Sequence, residues 1–256
     1  MKLAIVQDEI RWADKSANLQ KTADQLSALA GKAELVVLPE MFTTGFTTDR
    51  LDLAETMNGP TVDALKKWAV DFRLAITGSF IAEENGYNYN RGFFAFPSGE
   101  MAIADKRHLF TPAKEDDYFT GGNKRLTVRY NGFNICVLIC YDLRFPVWAR
   151  NVNNEYDLLI YVANFPAKRI GDWDILLRAR AIENQAYVCG VNRTGVDGLD
   201  IPYNGHSVLL DYKANELLSF HDNETAVKTA EISTVPLDNY RKKFAVWKDA
   251  DRFTIA

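Results

Sequence analysis

Apolar residues fall along the chain in two rhythms: short unbroken runs, and longer stretches in which they recur three or four positions apart. Leu3–Gln7 is a run of the first kind and predicts a strand buried on both faces. Leu19, Ala23, Leu26 and Ala30 follow at helical spacing, and Gly31 is placed to stop that helix. Leu35–Leu38 predicts a second strand, ended by Pro39-Glu40. Asn58-Gly59-Pro60 marks a helix start with proline in its first turn, and Val62, Leu65, Ala69 and Phe72 form the inward face. Strands then dominate, at Leu74–Ile81, Gly92–Phe96 and Met101–Ala104. Leu126–Tyr130 and Phe133–Ile139 flank Asn131-Gly132, a pair suited to the positive-φ turn of a tight hairpin. Val147–Val152 predicts a short helix and Tyr156–Ala163 a strand. Asp172–Ala186 predicts a helix with Trp173, Leu176, Leu177 and Ala181 inward, and Tyr187–Val191, Ser207–Leu210, Leu217–Phe220 and Val227–Ile232 complete the strands.

Strands reached both through hairpins and through helices predict a mixed α/β fold rather than a purely parallel sheet. Runs this apolar need cover on both faces, so two central sheets with outer helix layers fit better than one doubly wound sheet. No repeat, low-complexity run or Pro/Gly/Ser-rich linker divides the chain, which predicts a single domain over residues 1–256 with 233–256 as a polar C-terminal tail.

Composition narrows the function classes. With 47% hydrophobic and 25% charged residues, this is the mixture of an ordinary soluble globular protein. A net charge of −4 gives no general attraction to nucleic acid or an anionic membrane. No segment approaches the ~20 apolar residues needed to span a bilayer. The first apolar stretch is short and runs into Asp8-Glu9, unlike a secretory signal. Cys136, Cys140 and Cys189 form an odd set without metal-type spacing, which fits free thiols in a reducing compartment, the cytoplasm.

Three strand ends carry candidate chemistry. Phe133–Ile139 runs directly into Cys140, followed by Asp142 and Arg144, and a strand-to-loop turn is where a rigid element can present a nucleophile. Free cysteines are ordinarily buried small hydrophobes, so position alone leaves both readings of Cys140 open, while Cys136 and Cys189 lie mid-strand and read as packing. Glu40 ends a fully apolar strand, where burial would raise its pKa toward that of a base at neutral pH; a turn cap is as good a reading on that segment alone. Lys106, just after Met101–Ala104, can place an ammonium beside the other two, although a lone lysine is usually solvated. Glu115 is unremarkable by itself.

Taken in chain order, Leu38-Pro-Glu-Met-Phe42, Asp105-Lys-Arg-His-Leu-Phe110 and Cys140-Tyr-Asp-Leu-Arg-Phe-Pro146 resemble the nitrilase, or carbon–nitrogen hydrolase, superfamily. Tyr161-Val-Ala-Asn-Phe-Pro166 and Arg178-Ala-Arg-Ala-Ile-Glu-Asn-Gln185 support the likeness, and the ending Tyr240–Asp251 is similar to the bacterial omega-amidase branch. The resemblance implies a four-layer α-β-β-α sandwich that dimerises through a helix layer and needs no cofactor or metal. It makes Cys140 the nucleophile, Glu40 the general base, Lys106 the oxyanion stabiliser and Glu115 a second glutamate that orients the lysine. The backbone N–H of Tyr141 is the expected second oxyanion donor. Many members carry an acidic residue after Arg-Phe-Pro; Val147 stands here and receives no role.

The omega-amidase branch further implies a small acid with a terminal amide, 2-oxoglutaramate or 2-oxosuccinamate. Its carboxylate needs a cation or several N–H donors, for which Arg144 and the Asn164-Phe165 turn are candidates, while Phe42, Tyr118 and Phe165 are candidates to wall the acyl chain. A homodimer with Phe244–Trp247 at or near the interface is expected. Rival readings are a Cys–His hydrolase using His108, His206 or His221, a non-catalytic binding scaffold, and a nitrilase, N-carbamoyl hydrolase or other amidase with the same core. The charges at Lys168-Arg169, Asp197–Asp200 and Arg241-Lys242-Lys243 read as solvated faces, and Arg178, Arg180 and Glu183 as an ion-pair network along one helix.

Overall fold

A computed structural model describes residues 1–254. Strands β1 (Lys2–Gln7), β2 (Leu35–Val37), β3 (Ala75–Glu84), β4 (Tyr87–Ala95) and β5 (Met101–Asp105) lie in one sheet. Strands β6 (Leu126–Tyr130), β7 (Phe133–Ile139), β8 (Leu158–Ala163) and β9 (Tyr187–Asn192) begin a second sheet. A two-stranded ribbon, β10 (Thr194–Val196) and β11 (Pro202–Asn204), comes next; β12 (Val208–Leu210) and β13 (Glu216–Ser219) extend the second sheet, and β14 (Ala226–Glu231) returns to the first. Each six-stranded sheet has a parallel centre, β1-β2-β3 or β7-β8-β9, flanked by antiparallel neighbours.

The unbroken apolar runs follow from burial on both faces. Leu3, Ile5, Leu35 and Val37 point at Ile135, Val137, Leu158 and Ile160 across the space between the sheets. The alternate positions Ala4, Val6 and Val36 pack against Leu26 of α1 (Lys15–Leu29) and Leu65 and Ala69 of α2 (Pro60–Phe72). Two short helices, α3 (Glu115–Tyr118) and α4 (Pro146–Ala149), lie in the connections. Leu159 and Tyr161 pack against Trp173, Leu177 and Ala181 of α5 (Ile170–Asn184). Helices thus cover the outer face of each sheet, which is the expected four-layer α-β-β-α sandwich, and each fully buried aliphatic side chain contributes roughly 1.5–3 kcal/mol. None of the described helices is long and apolar enough to cross a membrane.

The structure departs from the expectation in several places. Strand β4 starts at Tyr87 rather than Gly92, because Asn85 and Gly86 both adopt positive φ (55° and 82°) and make a second tight hairpin. The ribbon β10–β11 was not expected. The polar tail contains α6 (Thr234–Lys243), anchored by Arg241, which donates to Asp157 Oδ1 (2.7 Å), the Tyr156 carbonyl (2.8 Å) and the Gln185 carbonyl (2.9 Å). Arg241 is therefore buried rather than solvated. On α5, Arg180 pairs with Glu183 (3.0 Å), whereas Arg178 leaves the helix and bonds Glu216 on β13.

His206 ties the loop before β12 to its surroundings through Asp174 (2.9 Å) and Asp222. Burial opposes its protonation, but the two carboxylates prevail and hold its pKa above the ordinary value. A raised folded-state pKa adds stability that is complete below the unfolded value of about 6.5 and is lost as pH rises through the folded one. His206→Asn is therefore expected to lower the melting temperature at about pH 6 and to match the wild type at about pH 9; equal differences at both pH values would refute this.

Candidate active site

Each sheet delivers reactive groups from the ends of its strands. The backbone beyond β2 stays pinned, Leu38 N–H donating to the Thr77 carbonyl (2.8 Å), and leaves Glu40 fully buried. Met41 then adopts φ 45° and its N–H donates to Ser79 Oγ (2.9 Å), so the chain turns away at once. Lys106, directly after β5, is held by its own N–H to the Asn90 carbonyl (2.9 Å) and by Gly122 N–H to its carbonyl (2.8 Å). Gly122 is required by this approach, since a Cβ there would lie 2.1 Å from the Asp105 carbonyl oxygen. Cys140 ends β7 and opens a tight helical turn, Cys140–Arg144, with φ 45°. A left-handed cysteine costs of order 1–2 kcal/mol. Asp142 holds it there by accepting from Ile139 N–H (3.1 Å), His108 N–H (3.1 Å) and the His108 ring (Nδ1, 2.7 Å). The loop carrying Lys106 and the turn carrying Cys140 are thereby clamped together.

These elements bring four of the expected residues to one point. Lys106 Nζ donates to Glu40 Oε1 (3.0 Å) and to Glu115 Oε2 (2.9 Å), and lies over the Phe46 ring (5.2 Å). Glu40 Oε2 accepts from the Asn164 N–H (2.8 Å), Glu115 Oε2 from the Phe110 N–H (2.5 Å), and Cys140 Sγ lies 3.9 Å from the Asn164 carbonyl. Asn90, which no motif signalled, bridges the carboxylates through Nδ2, at 2.8 Å from Glu40 and 3.3 Å from Glu115.

Electrostatics follow from this packing. Burial alone would drive the Lys106 ammonium down, but Glu115 and Glu40 reverse that and raise its pKa, so it stays charged. Burial raises the Glu115 carboxyl, Lys106 opposing and Glu40 reinforcing. Burial also pushes the Cys140 thiol well above its ordinary value, the bonded Glu40 carboxylate adds to the rise and Lys106 opposes it. The resting sulfur is therefore a thiol with the Glu40 carboxylate beside it. Lys106 thus stands between two carboxylates, and its ammonium is the one positive charge of the cluster.

The cluster opens into a cavity of about 290 Å³, with Lys106, Cys140 and Asn164 at its buried end and Tyr118, Arg144 and Phe165 on its walls. The Tyr141 ring also lines it, edge-on to Phe110 (5.0 Å). Phe42 does not: it is buried on the outer face of the first sheet against Phe93 (5.9 Å), because the chain reverses beyond it and Gly45 (φ 75°) turns Phe46 inward instead. Arg169 and Asp197, read as solvated, both reach the cavity. Asp197 is structural, with Oδ1 accepting from the Leu199 (2.8 Å) and Ile201 (3.0 Å) N–H groups and Oδ2 from Tyr203 (2.9 Å), and so shapes the β10–β11 ribbon as a wall. Neither carried a signal in the sequence beyond its charge. None of the three histidines lines the cavity: His108 is taken by Asp142 and His206 by two aspartates. Among the described residues no group of three His, Cys, Asp or Glu side chains is arranged to hold a metal.

A buried carboxylate–ammonium pair thus lies beside a strand-end thiol at the ends of two stacked mixed sheets. Residues 2–242 match the carbon–nitrogen hydrolase family, to which the chain belongs. It is 40% identical over 256 residues to the omega-amidase YafV of Escherichia coli (strain K12), with 100% of this chain and 98% of that one aligned. It is 31% identical to the 2-oxoglutaramate amidase of Bacillus subtilis (strain 168), covering 96% of each chain. Its fold superposes with a TM-score of 0.97 on a CN-hydrolase superfamily protein of Xanthomonas campestris that carries an arsenic adduct in its active site, at 38% identity and covering 100% and 99% of the two chains.

Proposed function

We propose that this protein is an amidase that hydrolyses the terminal amide of small 2-oxo acid amides, 2-oxoglutaramate and 2-oxosuccinamate, through a thioester on Cys140. The observation that carries the reading is Lys106 held between Glu40 and Glu115 beside the Cys140 thiol at the buried end of an aromatic-walled cavity. Glu40 takes the thiol proton as sulfur attacks the amide carbonyl. The Lys106 ammonium and the Tyr141 N–H meet the oxyanion. Glu40 gives its proton to the amide nitrogen as the C–N bond breaks, and ammonia leaves. Water then attacks the thioester, Glu40 takes its proton, and the carboxylic acid departs as the thiol re-forms.

The cavity favours a compact acyl group, and its arginines favour an anionic one. Full-length relatives named omega-amidase and 2-oxoglutaramate amidase support the substrate class. Ammonia release from 2-oxoglutaramate, glutamine, an N-carbamoyl amino acid and a simple nitrile tests it, with 2-oxoglutaramate expected to lead. A lead of about tenfold or more in kcat/KM for the nitrile or carbamoyl compound would sink the reading.

The proposed working form is a homodimer in the cytoplasm. Val147, Ile175 and Ile182 leave apolar surface on α4 and α5, and Phe244 at the end of α6 is also exposed. Light scattering at micromolar concentration should give twice the mass of one chain; a monomer alone would refute it.

A further inference from the structure

Two guanidinium groups reach the cavity, and their surroundings differ. Arg144 lies over Phe165 (5.8 Å) but is committed to Asp172, to which its Nη2 donates at 2.6 Å. That ion pair fixes the side chain and neutralises much of its charge. The Arg169 guanidinium lies over the face of Phe110 (5.0 Å) and makes no hydrogen bond or ion pair with any described residue. Its fork is half-buried and held by an aromatic face, with its N–H donors uncommitted. Phe110 in turn is fixed to the reactive cluster, because its N–H donates to Glu115 Oε2 (2.5 Å). The spacing of the uncommitted guanidinium from the Lys106–Glu115 pair is therefore set by one short, rigid connection. Neither carboxylate on the cavity wall neutralises it: both Asp197 oxygens are taken within the ribbon, and Asp49 accepts from Thr47 Oγ1 (3.1 Å).

We infer that Arg169 is the specificity-determining residue of this site, the cation that receives the carboxylate at the far end of the acyl chain. The inference rests on the amidase reading and sharpens it. A guanidinium binds a carboxylate through two parallel N–H donors, and an adjacent 2-oxo oxygen is a further acceptor in the same plane. An ammonium at that carbon would instead face the guanidinium as a like charge, which selects the 2-oxo amide over the 2-amino amide. Arg144, already paired, orients the chain from the Phe165 side.

Arg169→Met removes the charge while keeping an apolar side chain over Phe110. The ratio of kcat/KM for 2-oxoglutaramate to that for uncharged propionamide is expected to fall about 10–100-fold, mainly through KM, and Arg169→Lys should restore part of it. A second measurement does not depend on turnover. In the wild type, 2-oxoglutarate should protect Cys140 from alkylation by iodoacetamide, and Arg169→Met should weaken that protection at least about tenfold relative to its own unprotected rate. Absence of protection in the wild type, protection within about twofold in the variant, or a loss confined to Arg144→Met would each overturn the assignment. Failure of the amidase reading shows separately, as no ammonia from any amide while protection by 2-oxoglutarate persists.

Discussion

Cys140→Ala is expected to abolish amide hydrolysis, by at least ~10³-fold, while the protein melts within a few degrees of the wild type. Alanine tolerates the backbone at this position as well as cysteine does, and the lost sulfur borders an open cavity rather than a closed core. In the proposed mechanism the resting thiol gives its proton to Glu40 as it attacks, a step that alanine cannot supply. Residual activity above about a hundredth would mean that another group attacks the carbonyl. Cys136→Ala and Cys189→Ala are the controls. Both side chains are fully buried, Cys136 with its thiol pushed up to about 12 by burial, and should act only through packing, at roughly 1–2 kcal/mol each. Activity per folded molecule should be retained.

Lys106→Met should also cripple catalysis and be worse for stability. The substitution leaves Glu40 and Glu115 buried and joined only through Asn90, and two carboxylates so placed cannot both stay ionised. One takes up a proton, so the variant loses the oxyanion cation and perturbs the base in a single step. A fall in kcat of at least ~10²-fold is expected, with a stability loss of about 3–5 kcal/mol at neutral pH. Denaturant unfolding and ammonia release measure the two effects. Glu115→Gln, which leaves Lys106 one carboxylate partner, should cost less on both counts. Wild-type kcat in Lys106→Met would exclude the ammonium from the reaction.

The parts of this molecule that were legible in the sequence are those where one force dominates. β1, β2, β7, β8 and β9 stand out because burial on both faces confines polar residues to positions at or near the strand ends. Glu40 and Cys140 follow such runs, but they and Lys106 stand out only when their three motifs are read together in chain order. What escaped is built on polar contacts, which leave no period. Helix α6 buries only Leu237 and Arg241, so its anchor is a guanidinium and its hydrophobic pattern is nearly empty. Asn90 sits in the polar half of β4, and its amide becomes meaningful only once Glu40 and Glu115 arrive from elsewhere. Arg169 reads as half of a solvated Lys-Arg pair until Phe110 is placed beneath it. Phe42 was misassigned because the turn at Gly45 decides which aromatic faces the cavity.

Glu40 meets Lys106 across 66 positions of chain and Asn164 across 124. Contacts that distant close late in folding, because the entropy of the long loops must be overcome before they form. A chain emerging from synthesis, or one that has collapsed with only one sheet in place, holds Cys140 without its base, its ammonium or its cavity. Its sulfur is then an ordinary thiol with no more reactivity than Cys136 or Cys189 would show. Amide hydrolysis is therefore expected to appear only once both sheets are in place.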